Sequence, residues 1–392
     1  MKLLATTYPH PDFFPPTLNA ITELSNSFEQ VIVTSRNISD VKPDFAANVI
    51  FMLSGKYQHI RASEQASLYK KIKSFFLYVS LLRRAMNRYK PEVVVVYDPI
   101  PLFAYWLIHK LISYKPLLWY HNHDTSEISQ VRKYSVSWWA AKYENRIFLN
   151  HVKIFSLPSL ERKKFFPMNE FNGKFFFIPN FPAISLFGKF YEPKTIGNTV
   201  KIIFQGSIAE GHGLESIAEL LDTKIEGKDL ELIVKGWIRD DNFKKKLISI
   251  AERKACLQKL KFIPFGPYSE LPLITRTCHI GIGIHALNTN LHTTLAKASN
   301  KLYEYAALGL PIIVYDSPHY REHLDKYEWV FFSDATPESL KDCIWGILLN
   351  YDKLSKSANS SFMHEFNFEL NFKPAMDYVI ESASGIAGKE AS

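Results

Sequence analysis

The feature that most restricts what this chain can fold into is the spacing of its apolar runs. Short stretches rich in β-branched and aromatic residues recur at residues 2–6, 30–34, 48–52, 92–97, 117–121, 153–157 and 175–178, separated by longer amphipathic segments such as 64–88 and 137–149. Strands buried on both faces read as near-continuous apolar runs, and helices between them supply the crossovers that a parallel sheet needs. The pattern restarts at 200–205, 230–235, 261–264, 280–284 and 311–315. Two α/β sheets in series are therefore expected, in keeping with 392 residues being more than one hydrophobic core usually organises. Between the two sets, residues 180–198 hold Phe-Pro, Glu-Pro and Gly-Asn without clear periodicity and read as a linker and hinge. No internal repeat of 20–50 residues accompanies the restart.

Composition narrows the class. With 47% hydrophobic and 22% charged residues the chain is neither disordered nor a membrane bundle. Its most apolar stretches, 75–82 and 93–108, are bracketed or broken by charges and prolines, so neither offers the roughly 20 apolar residues of a spanning helix. Three widely spaced cysteines, Cys256, Cys278 and Cys343, argue against a disulfide framework, and the apolar run after Met1-Lys2 is too short for a secretory signal. A cytoplasmic protein is expected, at most attached to the inner face of a plasma membrane. The net charge of +8 is unevenly divided: residues 1–190 carry 24 Lys and Arg against 13 Asp and Glu, whereas 191–392 carry 23 against 26. The first half is thus suited to something anionic.

Parallel sheets bind ligands beyond the carboxyl ends of their strands. After 200–205 comes Gly206-Ser207-Ile208-Ala209-Glu210-Gly211-His212-Gly213, which reads as a glycine-rich turn into a helix, able to take a diphosphate or to be ordinary punctuation. A stronger constellation is Ser299-Asn300-Lys301-Leu302-Tyr303-Glu304-Tyr305-Ala306-Ala307-Leu308-Gly309-Leu310-Pro311, running into an apolar strand. Ser299 is placed to cap a helix whose first turn carries Lys301, with Glu304 one turn in. An acid there either complements the helix dipole or accepts from two ribose hydroxyls.

Residues 299–316 resemble the signature of GT-B fold glycosyltransferases, in particular bacterial family four, also called glycosyl transferases group 1. Phe204-Gln205-Gly206-Ser207, residues 232–236, Phe262-Ile263-Pro264-Phe265-Gly266 and residues 279–284 occur in the order of that family's donor domain. The resemblance spans about 200–316 and implies two Rossmann-like domains facing across a cleft: an acceptor domain over 1–185, with 366–392 crossing back onto it, and a nucleotide-sugar domain over 199–365. It implies that Glu304 holds the ribose, that the amides of Ser299, Asn300, Lys301 and Leu302 hold the diphosphate or sugar, and that Phe265 stands in the base-contacting loop. Two departures occur. Ser207 and His212 stand where relatives carry Arg and Lys, leaving charge neutralisation to helix ends, Lys235, Lys301 and a protonated His212. Ala296 stands eight residues before Glu304, where relatives carry a second acid.

In the first half, Trp119-Tyr120-His121-Asn122-His123-Asp124 ends a strand with polar residues and resembles the strand followed by His-Asp in related transferases. His123 and Asp124, with His121 beside them, are the catalytic candidates, to position the sugar or move a proton. Two histidines at i and i+2 also suit metal ligation or a structural hydrogen bond. No Asp-x-Asp triplet occurs, so no metal and no cofactor are expected, the nucleotide sugar being a substrate. The loop 6–16, with Tyr8, His10, Phe13, Phe14 and four prolines, is read either as a sugar-stacking loop or as a rigid turn.

The expected activity is transfer from a UDP- or GDP-type sugar to a glycan or lipid-linked acceptor in bacterial surface polysaccharide synthesis, with retention. A non-catalytic nucleotide-sugar-binding protein and a sugar-nucleotide epimerase are the alternatives. The basic segment 64–90, with Lys70, Lys71, Lys73, Arg83, Arg84 and Arg88 among Phe and Leu, suits an anionic membrane surface or a helix packed on the sheet with a wet cationic edge. Nucleic acid is not an expected partner, because none of its recognition motifs is present.

Overall fold

The apolar runs of the first half become one parallel sheet: β1 (Lys2–Thr7), β2 (Gln30–Arg36), β3 (Val49–Ser54), β4 (Val93–Tyr97), β5 (Leu117–His121), β6 (Ile154–Leu157) and β7 (Lys174–Phe177), in the order β3-β2-β1-β4-β5-β6-β7. The structure is a computed structural model that describes residues 1–41, 43–123, 128–238, 240–285 and 294–390. The chain divides into two units, Met1–Pro179 with Glu369–Ser392 and Asn180–Phe368.

In the first unit, Leu4, Ile32, Val94, Val96, Leu118, Tyr120 and Phe155 point to one face of the sheet. They share a core with Tyr78 and Leu82 of helix Leu68–Tyr89, Leu102 of helix Pro99–Ile108, and Ile147 and Phe148 of helix Val136–His151. Trp119 points the other way and stacks on Phe372 of the C-terminal helix Phe368–Glu390 at 5.6 Å. Both faces are thus covered, which is why these strands read as unbroken apolar runs. The sequence pattern suggests a single helix over 64–88, but the chain forms a short helix Ile60–Glu64 and starts again at Leu68. Ser67 causes the restart: its extended backbone and side-chain oxygen, 3.5 Å from Lys70 N, make it the N-cap of the longer helix.

The second unit contains β8 (Thr199–Ile208), β9 (Asp229–Ile238), β10 (Leu260–Pro264), β11 (Ile280–Ile282), β12 (Ile312–Tyr315) and β13 (Val330–Ser333), ordered β10-β9-β8-β11-β12-β13. Every pairing is parallel. Two features differ from the sequence reading. β13 is an additional strand, Val330–Ser333, at the edge of the sheet beyond β12. β8 continues three residues past Gln205, so Gly206 and Ser207 are strand residues and not part of a turn. Gly206 pairs with Gly236, at φ +124° and +140°, and a Cβ on Gly236 would lie 2.0 Å from the Gly206 carbonyl oxygen. Only glycine lets the two backbones stay paired there.

Residues 180–198 belong to the second unit and pack into it. Phe181 meets Tyr303 at 4.4 Å, Phe187 meets Tyr268 at 5.8 Å, and Lys194 Nζ donates to the carbonyls of Cys278 and Leu308 at 3.0 and 3.1 Å. Each sheet reverses its strand order once, between β1 and β4 and between β8 and β11, and the polar residues described next gather at the carboxyl ends beside these reversals.

Candidate active site residues in the two units

In the second unit Glu304 is the centre of a buried network. It lies one turn into helix Asn300–Ala307 and is 3% exposed. Gln205, at the end of the apolar part of β8, donates from Nε2 to Glu304 Oε2 at 2.5 Å, and the Tyr268 hydroxyl donates to Oε1 at 2.9 Å. Gln205 is itself held, because its Oε1 accepts from Thr275 Oγ1 at 2.8 Å. Burial pushes the Glu304 carboxyl up to about 7, against the opposing pull of those two donors and of Lys301. The carboxylate is therefore oriented by two fixed donors while keeping lone pairs for further ones.

Lys301, in the first turn of the same helix, is half-buried, with Nζ 4.1 Å from the centre of the Phe204 ring. Burial pushes its ammonium down to about 7, and Glu304 opposes the shift. An arriving anion would restore the charge, which is the behaviour of a cation kept for a ligand. Phe204 carries His212 against its ring as well, at 4.7 Å between centroids. His212 Nδ1 lies 2.9 Å from the Ile284 carbonyl, which can only accept, so Nδ1 bears the proton and His212 becomes cationic by protonation of Nε2.

The remaining donor-side candidates separate into useful and structural groups. Lys235 is buried on β9, donates to the Pro264 carbonyl, and is pushed down by burial with Glu270 opposing. Phe265 is 46% exposed and meets Trp237 edge-on at 6.4 Å, while Ser207 sits opposite Trp237 in the sheet. Ser299 occupies the N-cap position of the helix, but its side chain makes no capping hydrogen bond, contrary to the expectation from sequence. The Leu302 side chain is core, since a Cβ on Gly283 would sit 2.1 Å from its Cδ2, so only its backbone amide can serve a ligand. Asn300 is half-buried at the first helical position. Ala296, in place of the second acid, is fully buried, and its carbonyl accepts from the Tyr303 hydroxyl at 2.5 Å. Asp240 and Asp241, two adjacent acids after β9, form a helix start, with Asp240 Oδ1 accepting from Asn242 N at 2.8 Å.

In the first unit, His121 and His123 do point the same way from the end of β5, with His121 Nε2 3.1 Å from His123 Nδ1. His121 Nδ1 is 2.6 Å from Ser156 Oγ on β6, which accepts the Trp119 indole N–H at 2.8 Å. His123 Nε2 is 3.0 Å from Thr17 Oγ1. Trp119, Ser156, His121, His123 and Thr17 thus form one continuous hydrogen-bonded row, in which each histidine joins its neighbours through both ring nitrogens. Burial pushes His121 down to about 3, so it stays neutral, with one ring nitrogen donating and the other accepting. His123 stacks on Tyr97 at 5.5 Å, its backbone N donates to Asp98 Oδ1 at 2.7 Å, and Arg162 donates to its carbonyl. Asp124 lies outside the described residues.

The loop after β1 does not offer its His10 to a sugar. His10 is fully buried, its Nδ1 accepts from Asp12 N at 3.3 Å, and Tyr8 is buried with Arg36 4.0 Å from its ring centre. The rigid-turn reading describes these two residues. Sequence reasoning missed Gln205, Tyr268, Thr275, Ser156, Thr17 and Asp98. Of these only Gln205 left a signal, as a polar residue ending an apolar run.

A pair of Rossmann-like units with polar strand ends at the reversals is the GT-B architecture. Residues 191–361 match the family model described as glycosyl transferases group 1. The match covers most of the second unit, which is similar to the group 1 glycosyltransferase domain, and the chain as a whole has the GT-B fold. No curated protein matches the chain by sequence. Among solved structures it is similar to sucrose-phosphate synthase from Thermosynechococcus elongatus, with 11% identity and a TM-score of 0.68 over 98% of this chain and 100% of that one. It is also similar to Anabaena HepE, solved with UDP and glucose, at 12% identity and a TM-score of 0.59 over 100% and 99% of the two chains. A UDP-GlcNAc 2-epimerase from Neisseria meningitidis, bound to UDP-GlcNAc, shares 13% identity with a TM-score of 0.56 over 97% and 100%.

Proposed function

We propose that the protein moves a sugar from a UDP- or GDP-type donor to a glycan or lipid-linked acceptor in bacterial surface polysaccharide synthesis, with retention of configuration and without a metal. The observation that carries the donor part is Glu304: a buried carboxylate beside a helix start, oriented by Gln205 and Tyr268, next to a desolvated lysine. In this reading Glu304 accepts from the ribose hydroxyls. The diphosphate lies on the amides at the start of helix Asn300–Ala307 and on Lys301, whose charge it restores, with His212 as a second cation once protonated. Phe265 and Trp237 flank the base. His123, its ring fixed by His121 and Tyr97, exchanges the Nε2 contact with Thr17 for one to an oxygen of the transferring sugar, and Asp124 takes part in the same step. The solved complexes of HepE with UDP and UDP-glucose favour a UDP-type donor in this reading.

Release of free nucleoside diphosphate from a panel of UDP- and GDP-sugars, measured with and without glycan and lipid-diphosphate acceptors, tests the reading. Acceptor-dependent release is expected, with His123→Ala abolishing it while donor binding is kept. Wild-type turnover in that variant would make His123 structural. Conversion of the donor to its epimer without any acceptor would establish the epimerase instead, and tight donor binding with no turnover would establish a binding protein. NMR of the product anomer decides retention.

A further inference from the structure

The three helices that cover one face of the first sheet also share an outer surface, and it is unusual for a helix layer exposed to water. Helix Leu68–Tyr89 carries Lys70, Lys71, Lys73, Arg83, Arg84 and Arg88 and no acidic residue. Large apolar side chains are exposed among these cations: Tyr69, Phe76 and Leu77 on this helix, Leu107 and Leu111 at the end of the next, and Tyr134 just before the third. Phe75, Phe103, Tyr143 and Trp139 form a stacked series that ties the three helices together at 5.8, 6.0 and 6.0 Å. Lys142 lies 5.0 and 5.3 Å from the rings of Trp138 and Trp139 at one end of it. Toward the C-terminal end of the long helix, Ser80, Arg83, Arg84, Asn87 and Arg88 line a shallow depression of about 500 Å³. Among the described residues no helix is long and apolar enough to cross a membrane.

We propose that this face docks on an anionic lipid bilayer, with the depression lined by Arg83, Arg84 and Arg88 receiving lipid phosphates and Phe76, Leu77, Leu107 and Leu111 entering the headgroup boundary. Charge complementarity selects an anionic partner, since the long helix has six cations and nothing to repel a phosphate layer. The aliphatic side chains select lipid over nucleic acid. Leu77, Leu107 and Leu111 gain nothing from a sugar-phosphate backbone or from the face of a base, but they lose water contact at the acyl boundary. Half-buried Trp and Tyr beside exposed Leu and Lys is the distribution favoured at a membrane interface. Docking by this surface is independent of the donor chemistry of the second unit.

The test is flotation of the full chain with vesicles of equimolar phosphatidylglycerol and phosphatidylcholine, and with phosphatidylcholine alone. Binding to the anionic vesicles only is expected. Replacing Arg83, Arg84 and Arg88 together by Gln should lower partitioning about 100-fold, near fivefold for each cation lost. Phe76→Ser with Leu77→Ser should weaken it severalfold at unchanged charge, and both variants should melt as wild type because these side chains are outside the core. Equal vesicle binding by the Arg variant, or no binding of the wild type, would overturn the proposal. So would binding to single-stranded RNA that the Phe76/Leu77 variant leaves untouched while vesicle binding is absent. Nucleoside diphosphate release with a soluble acceptor is unaffected in both variants, so loss of vesicle binding and failure of the transferase reading are separately visible.

Discussion

Glu304→Gln tests the donor site with least disturbance, because it keeps the side-chain volume and removes the charge. In the folded protein Glu304 accepts from Tyr268 at 2.9 Å and from Gln205 at 2.5 Å. A glutamine can still accept from Tyr268, but its own amide nitrogen then faces that of Gln205. Gln205 is not free to turn over, since its oxygen holds the Thr275 hydroxyl at 2.8 Å. One buried donor is left without an acceptor, at a cost of about 1–3 kcal/mol of stability. On the ligand side, one charge-assisted bond to a ribose hydroxyl is lost, about 1.5–3 kcal/mol, so the Kd for nucleoside diphosphate should rise about 10- to 150-fold. Glu304→Ala would strand both the Tyr268 hydroxyl and the Gln205 amide, and its larger loss would mix folding with binding. Isothermal titration calorimetry with UDP and with GDP, alongside thermal melts, reads both quantities. A pH series adds a second arm. Burial holds Glu304 up at about 7, and only the carboxylate accepts from two hydroxyls, so the affinity advantage of the wild type over the variant should shrink as pH drops below 7, whatever Lys301 and His212 add to both proteins. Equal Kd in the two proteins, with both folded at the assay temperature, would refute the ribose assignment.

Two further outcomes concern stability. Gly236→Ala places a Cβ 2.0 Å from the Gly206 carbonyl oxygen at φ +140°, so urea unfolding should show a loss of at least about 3 kcal/mol, whereas Gly197→Ala, with open space around it, should stay within about 0.5 kcal/mol. Matching midpoints for the two variants would contradict the pairing of β8 with β9 through these glycines. Glu144 is buried beneath Tyr120 and Asn122, and burial raises its carboxyl from 4.5 to about 7. A folded pKa above the unfolded one means that folding takes up a proton. The stabilisation is complete below pH 4.5 and is lost as pH rises through 7. Denaturation midpoints of Glu144→Gln should lack that descent, and an identical pH profile would show that the carboxyl is not desolvated.

How far the sequence carried the site differs from residue to residue. Glu304 and Lys301 were legible because a helix start, Gly309-Leu310-Pro311 and a following strand are local punctuation within a few residues. Their orienting partners were not. Gln205 meets Glu304 across 99 residues and Tyr268 across 36, and no local rule links positions so far apart. The i, i+2 spacing of His121 and His123 foretold that they share a side of the strand, yet Ser156 and Thr17, which hold their outer nitrogens, arrive from β6 and from a helix 106 residues away. The turn expected at Gly206 was misplaced for a related reason. A glycine signals backbone freedom, and whether that freedom makes a turn or a close strand pairing depends on Gly236, which is remote in sequence.

By itself, then, the sequence determined the alternation of buried strands with helices, the two-part organisation, the helix that bears Glu304 and the basic character of the first half, because periodicity, punctuation and charge are local properties of the chain. Only the tertiary structure decided which donors hold the Glu304 carboxylate, that His121 and His123 join one row with Ser156 and Thr17, and that the cationic helix Leu68–Tyr89 is packed in one layer with two further helices. Those properties depend on parallel strands and packed helices bringing distant residues within hydrogen-bonding distance and onto a common face, which spacing along the chain does not encode.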